Sequence, residues 1–428
     1  MPVISPFRAL TYAPRLRAEL DHLIAPPYDV IPAERRPGIA ARHPNNIVHL
    51  DLPQDGRGGD RYARAAGLLR RWVDSGVLVR DGAPAVYVCE QRFTAPTGEE
   101  RTRSGFFARL RLEPYGAGTI IPHERTLDGP RRDRQRLLRA TRTHLSAILL
   151  IHPDPDGRVW RMTREAAASP VYEQARDPEG TLIRIVRLAD REMLEALGQR
   201  LRDAWAIIAD GHHRYEASLA YQEECRRAGR GDADHLLAFF CSLEDPGLAI
   251  FPIHRLVHSL EGWDPSRFRE RLGEYFALRP LGSPEALRSA VDGGRGRSGV
   301  FGLVVRGERG GWLVEWKEGA GLDHPSIASV PPPLRRLDVI LLHRLVMEGI
   351  LGITPEAQER QAHLDYVRDG PELLRRMGEG RAQAGFLLNP TRMEQVIEVT
   401  RRGLRLPQKS TYFHPKVPTG LVLNPIDE

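Results

Sequence analysis

A chain of 428 residues, 41% hydrophobic and 28% charged, is long enough to form two or three domains with substantial cores, without a disulfide or metal staple. Its net charge of +6 is the difference between 62 basic and 56 acidic residues; this mixed surface, with no zinc finger, ribonucleoprotein motif or aromatic stacking series, argues against a nucleic-acid partner. Three scattered cysteines, Cys89, Cys225 and Cys241, give neither a CxxC pair nor a disulfide framework, and no secretion signal or run of roughly 20 apolar residues is visible, so a soluble protein of the reducing cytoplasm with no membrane partner is expected.

In chain order, residues 1–113 read as an N-terminal α+β region. The segment from Ile24 to Ile31 is stiffened by Pro26 and Pro27 and holds Tyr28 in a fixed approach, where it either stacks on a base or closes an interface. Residues 60–74 have helical spacing, and residues 85–92 and 102–110 read as the strands of a hairpin. Residues 114–246 form a second region, the nucleotide- or phosphate-binding core. It holds strands at 146–152 and 182–187, a helix at 190–202, and the arginine cluster Arg131, Arg132, Arg134 and Arg136 on a solvated helix. Residues 247–428 form a C-terminal α+β region able to pack back on the core. Its Pro/Gly-rich stretch 279–299 reads as long surface connections, 301–305 and 311–316 as a hairpin, and 334–347 as a broadly apolar helix. The sum is a mixed, multi-domain α+β architecture.

The densest chemistry follows the apolar run 204–209, which reads as a buried strand ending at Asp210. Gly211 permits a tight turn, and from His212 or His213 the spacing is helical. Free N–H groups at a helix start favour an anion, and Arg214 adds a fork of donors. Asp210 is suited to bind Mg²⁺, to orient His212 or to accept a hydroxyl proton. Adjacent residues on a helix diverge by about 100°, so His212 and His213 suit one ligand-facing and one structural imidazole better than a paired zinc site.

A second block runs from Ile120 to Leu127. His123 and Glu124 are candidates for acid–base work, Glu124 also for Mg²⁺ on phosphates, Arg125 for phosphate charge, and Thr126 for capping the next helix. Near the end of the chain, Lys409 and Lys416 flank Ser410 and Thr411 and could hold a phosphate, or lie on a strand with the lysines in water. A GxxxxGK[ST] loop, a GxGxxG turn, a GxSxG elbow and an HExxH helix are all missing.

Four blocks in order, Ala25 to Val30, His123 with its neighbours, Asp210 to Arg214, and Pro407 to Lys416, resemble the bacterial and archaeal domain of unknown function 1015. Glu244 to Leu248 and Gln383 to Pro390 extend that resemblance over nearly the whole chain. The segment from Asp210 to Arg214 is also similar to the phosphate-contacting signature of the ParB and sulfiredoxin superfamily, which includes nucleotide-binding proteins and free-serine kinases. That similarity implies a nucleotide-binding unit in which Gly211, His212, His213 and Arg214 contact phosphates. His212 stands where sulfiredoxin has its reactive cysteine, and no helix-turn-helix is evident, so neither sulfinic-acid reduction nor DNA segregation is implied.

The expected function is a nucleotide-dependent phosphotransferase, using Mg²⁺ with ATP or ADP, that acts on a small hydroxyl-bearing metabolite. In it Asp210, Glu124 and His123 serve the chemistry, Asp210 or Glu124 holds the metal, and Gly211, His212, His213, Arg214, Arg125, Lys409, Lys416 and Tyr28 bind the nucleotide. Two alternatives are a metal-dependent hydrolase of a phosphorylated small molecule, with His123, Asp210 and His212 or His213 as ligands, and a non-enzymatic nucleotide sensor.

Overall fold

The structure is a computed structural model and describes residues 2–56, 59–96, 98–202 and 204–426. The chain divides into two compact units, one made of Met1–Ala249 with Pro415–Glu428, the other of Ile250–His414. Both mix helices and strands, so the protein is a multi-domain α+β fold.

The first unit is built on a nine-stranded sheet. Its elements, in chain order, are β1 (Ile4–Ser5), helix α1 (Arg61–Asp74), β2 (Val86–Thr94), β3 (Glu100–Arg111), β4 (Ile120–Pro122), helix α2 (Asp128–Thr141) and β5 (Ile148–His152). They continue with helix α3 (Arg158–Ala167), β6 (Glu173–Arg176), β7 (Leu182–Leu188), helix α4 (Arg191–Arg202), β8 (Ala206–Asp210), helix α5 (His212–Arg227) and β9 (His235–Ser242). The strands lie in the order β4-β8-β5-β9-β3-β2-β7-β6, with β1 beside β3. Successive residues on a strand face opposite sides. Val86, Val88, Phe106, Ala108, Ile148, Leu150, Ile208, Ala238 and Phe240 therefore make one apolar face, which packs with Val159 and Ala166 of α3 and Leu197 and Leu201 of α4.

No division falls at 113/114. β2 and β3, before that point, share one sheet with β5, β8 and β9, after it, because β3 pairs with β9 from Arg111↔His235 to Gly105↔Cys241. The second unit begins at Ile250, while residues 415–428 return to the first. There Thr419 and Ala25 exchange backbone hydrogen bonds of 2.8 and 3.2 Å, Leu423 and Leu10 exchange two of 3.0 Å, and Asn424 pairs with His144. This return fixes the position of Lys416.

The second unit contains a six-stranded sheet. Its strands are β10 (His254–Val257), β11 (Phe276–Leu281), β12 (Val300–Val305), β13 (Gly311–Trp316), β14 (Leu364–Val367) and β15 (Ala384–Leu388), in the order β11-β13-β12-β15-β10-β14. The stretch 279–299 is not a run of loops: it holds the end of β11 and the helix Pro284–Gly293. The Ser283 hydroxyl accepts from Ala286 N at 3.2 Å and Pro284 sits at the first helical position, a start signal that outweighs the glycines farther on. The apolar helix expected at 334–347 begins at Asp338 and continues as a π-helix over Leu341–Ile350, with Leu341, Leu342, Leu345 and Val346 in the core. Among the described residues no helix is long and apolar enough to cross a membrane.

Candidate functional site

The end of β8 is where the first unit gathers its polar groups. The ladder between β8 and β5 shifts register between Ile208 and Asp210, and such irregularities re-aim the side chain that follows. Gly211 then turns the chain with φ of 91°. A Cβ there would lie 2.8 Å from Ile148 Cγ2 and 3.0 Å from the Arg214 guanidinium, so backbone and space both demand glycine. The helix α5 starts at once, and its N-cap, Gly211, has no side chain with which to cap the first turn.

One turn along α5, Arg214 folds back on Asp210, its Nη2 donating to Oδ2 at 2.5 Å while Nη1 donates to the Ala147 carbonyl. Lys416 Nζ donates to the other carboxylate oxygen. Burial alone would raise the Asp210 carboxyl, but the Lys416 and Arg214 charges outweigh it and hold the group well below the usual carboxylate range. Arg214 is itself buried, and its Nε has no acceptor among the described residues.

β4 runs parallel to β8, with Pro122 opposite Ile208, and this delivers the second sequence block to the first. His123 Nδ1 lies 2.5 Å from the Ile208 carbonyl; since a carbonyl only accepts, Nδ1 carries the proton. Burial pushes the imidazole down to about 4, so it is neutral at pH 7. Its ring meets the His212 ring edge-on, with centroids 4.7 Å apart, and its backbone N–H donates to His212 Nε2 at 3.3 Å. Glu124 Oε2 lies 4.0 Å from His123 Nε2. His213 Nε2 accepts from Leu127 N at 2.9 Å, at the start of α2, and Thr126 Oγ1 donates to Glu216 Oε2 at 2.7 Å. Arg125 is exposed.

Tyr28 reaches the same region. The Arg134 guanidinium lies 3.9 Å from the centre of its ring, and Tyr28 lies close enough to Arg214 to feel that charge, although burial raises the phenol overall. Arg134 corrects the expectation of a wholly solvated arginine cluster. It is buried, donating to Asp51 Oδ1 at 3.1 Å and to Asp133 Oδ2 at 2.5 Å. Its position three and four residues before the buried Leu137 and Leu138 places it on the inward face of α2, a spacing that the charge run masks. Asp51, Arg134, Ser146, Arg214 and Ser218 line a small groove beside the cluster. Asp51 had no signal in the sequence beyond its apolar neighbours.

Gln91 and Arg103, cross-strand partners on β2 and β3, also escaped the sequence reading. Gln91 Nε2 donates to the Lys416 carbonyl at 2.9 Å, and its Oε1 accepts from Arg103 Nη2. Lys409 lies in the second unit, where its carbonyl accepts from Arg255 Nη2 at 2.9 Å. Among the described residues no three His, Cys, Asp or Glu side chains are grouped as a metal ion would need. The three-ligand arrangement of a metal-dependent hydrolase is therefore not assembled by His123, Asp210 and His212 or His213.

The family model described as protein of unknown function, DUF1015, matches residues 4–340. No curated protein matches the chain. Among solved structures, a conserved hypothetical protein from Pyrococcus furiosus is 15% identical, with 76% of this chain and 96% of that one covered and a TM-score of 0.35. A free serine kinase in complex with AMP is also 15% identical, covering 74% of this chain and 92% of that one, with a TM-score of 0.35. SbnI with a C-terminal truncation, from Staphylococcus aureus, is 8% identical over 74% and 86% of the two chains, with a TM-score of 0.37. At such scores and identities these likenesses assign neither ligand nor chemistry.

Proposed function

We propose that this chain, which belongs to the DUF1015 family, is a nucleotide-dependent phosphotransferase whose phosphate site is the turn from Asp210 to Arg214. The observation that carries the reading is Arg214: a buried guanidinium whose Nε has no acceptor among the described residues, beside a helix start whose N-cap is the glycine Gly211. An unmet buried donor costs roughly 1–3 kcal/mol, and a helix start carries about half a positive charge. Lys416 and Arg214 bring two cations to the Asp210 carboxylate, while Asp29 and Asp51 also lie within reach of the Arg214 charge. Phosphate oxygens satisfy the open donor and the helix start. The likeness of this segment to the ParB and sulfiredoxin phosphate signature agrees with the same assignment.

In this reading Gly211, His212 and His213 offer backbone N–H groups to the phosphates, with Arg214, Lys416 and the exposed Arg125 neutralising their charge; Lys409, in the other unit, takes no part. Tyr28, beneath Arg134, is the surface for the base of ATP or ADP. Glu124 takes the proton of the acceptor hydroxyl as its oxygen attacks the terminal phosphorus and the bond to the nucleotide breaks. Neutral His123, 4.0 Å from Glu124, is the next proton acceptor. Asp210 holds Lys416 and Arg214 in place. Mg²⁺ bound with a nucleotide needs only one or two protein carboxylates beside the phosphates, and Glu124 or Asp210 would hold it. Bound there, it would neutralise charge on the transferring group.

The test is incubation of the full chain with Mg²⁺, ATP or ADP and a panel of small hydroxyl metabolites, read by ³¹P NMR. A new phosphate ester that disappears in Glu124→Gln is expected. Nucleotide binding without any product would leave a nucleotide sensor, and neither binding nor product would overturn the reading.

A further inference from the structure

A separate cluster of charge sits on the first unit, away from Asp210. Glu90 and Arg92 on β2, Thr102 on β3, Leu182 and Arg184 on β7, and Arg164 near the end of α3 line a groove. Its volume of about 280 Å³ is close to the lower bound of roughly 300 Å³ for small-molecule pockets, so it suits a ligand smaller than a nucleotide. The sheet builds it directly: Arg184 is the cross-strand partner of Glu90, and Arg92 that of both Leu182 and Thr102. Gln91, between Glu90 and Arg92, points to the opposite face, where it bonds the Lys416 carbonyl. The groove and the phosphate turn are thus distinct places in one unit.

The charges in the groove do not balance. Arg164 and Arg184 both pair with Glu90, at 2.7 and 3.2 Å, and Glu90 is largely buried beneath them. Arg92 makes no ion pair among the described residues. Three guanidinium groups and one carboxylate line the cavity, with Asp245 also within reach of the Arg164 charge, and each guanidinium is a planar fork that matches oxyanions two bonds at a time. Their mutual repulsion is relieved by a dianion. Thr102 adds a hydroxyl donor, and the small side chains of Ala167 and Ala168 leave room.

We infer that this groove is a second binding site, for a small organic phosphate whose dianion is held by Arg92, Arg164 and Arg184. It does not depend on the nucleotide reading. The probe is glycerol 2-phosphate, titrated into the full chain by calorimetry, with succinate as the dicarboxylate control. Binding is expected, weakened at least tenfold in Arg92→Gln and in the Arg92→Gln/Arg184→Gln pair, both of which alter partly exposed side chains and should melt like wild type. Arg191→Gln, a solvent-facing change on α4, should bind the probe as wild type does. Equal binding by the Arg92 and Arg184 variants, loss of binding in Arg191→Gln, tighter binding of succinate than of the phosphate, or no binding at millimolar probe would each overturn the assignment.

Discussion

Lys416 Nζ donates to Asp210 Oδ1 across 206 positions of sequence, and both groups are largely buried, with 13% and 12% of their side chains exposed. The lysine arrives with residues 415–428, after the chain has completed another compact unit. Its role is local to Asp210, where it shares the carboxylate with Arg214.

Removing Lys416 leaves the buried Asp210 carboxylate with Arg214 but without its second charge-assisted hydrogen bond. Lys416→Met should therefore cost about 2 kcal/mol, within the range for a hydrogen bond to a charged group. Urea unfolding checks this. The double variant Lys416→Met/Asp210→Asn should be less destabilised than the sum of the two single changes, because the second removes the charge that the first exposes.

Gly211→Ala forces a side chain into a left-handed turn and against Ile148. The expected loss is about 2 kcal/mol, with the far-ultraviolet circular dichroism of the folded state unchanged. A variant as stable as wild type would show that the turn is looser than its geometry implies.

His123 gives a pH signature. Its folded-state value of about 4 lies below the unfolded value of about 6.5, so the unfolded chain binds the extra proton between these limits. The contribution of neutral His123 is complete above about pH 6.5 and is lost as pH falls toward 4, roughly 2 kcal/mol of it between pH 7 and pH 5. His144 has a similar depression, to about 4, again from burial, so His123→Gln should flatten the slope without abolishing it. Urea unfolding of variant and wild type at pH 7 and pH 5 reads the difference. Asp210, held low by Lys416 and Arg214 after burial is overcome, acts only in more acidic solution, its stabilisation fading as pH falls below about 4.

Arg134→Met should lower stability by about 3 kcal/mol, because Asp51 would stay buried without its cation. Asp51→Asn should offset part of that loss. Equal stability of Arg134→Met and wild type, by thermal melting, would place Arg134 with the solvated arginines around it.

The strand ending at Asp210, the turn at Gly211 and the helix from His212 were legible because apolar run, glycine and helical spacing follow one another without a break. The hairpins of both units were legible for the same reason: alternation is a local signal. Lys416 and Lys409 looked alike in sequence, and only the tertiary path of the chain sends the first to Asp210 and leaves the second in the other unit. Arg134 was hidden in a run of exposed arginines. Arg103 and Gln91 were hidden as well, since a polar pair inside a strand reads as its solvent face until the segment that covers it is in place. The boundary at 113 failed because pairing across a sheet is non-local: β3 finds β9 more than a hundred residues later.

A crystal structure of the full chain with ADP shows whether the turn from Asp210 to Arg214 holds nucleotide phosphates. Phosphate oxygens are expected within hydrogen-bond reach of the first backbone N–H groups of α5 and of the Arg214 or Lys416 side chain. ADP bound with its phosphates elsewhere, or an Asp210 cluster closed on itself at saturating ADP, would contradict that assignment.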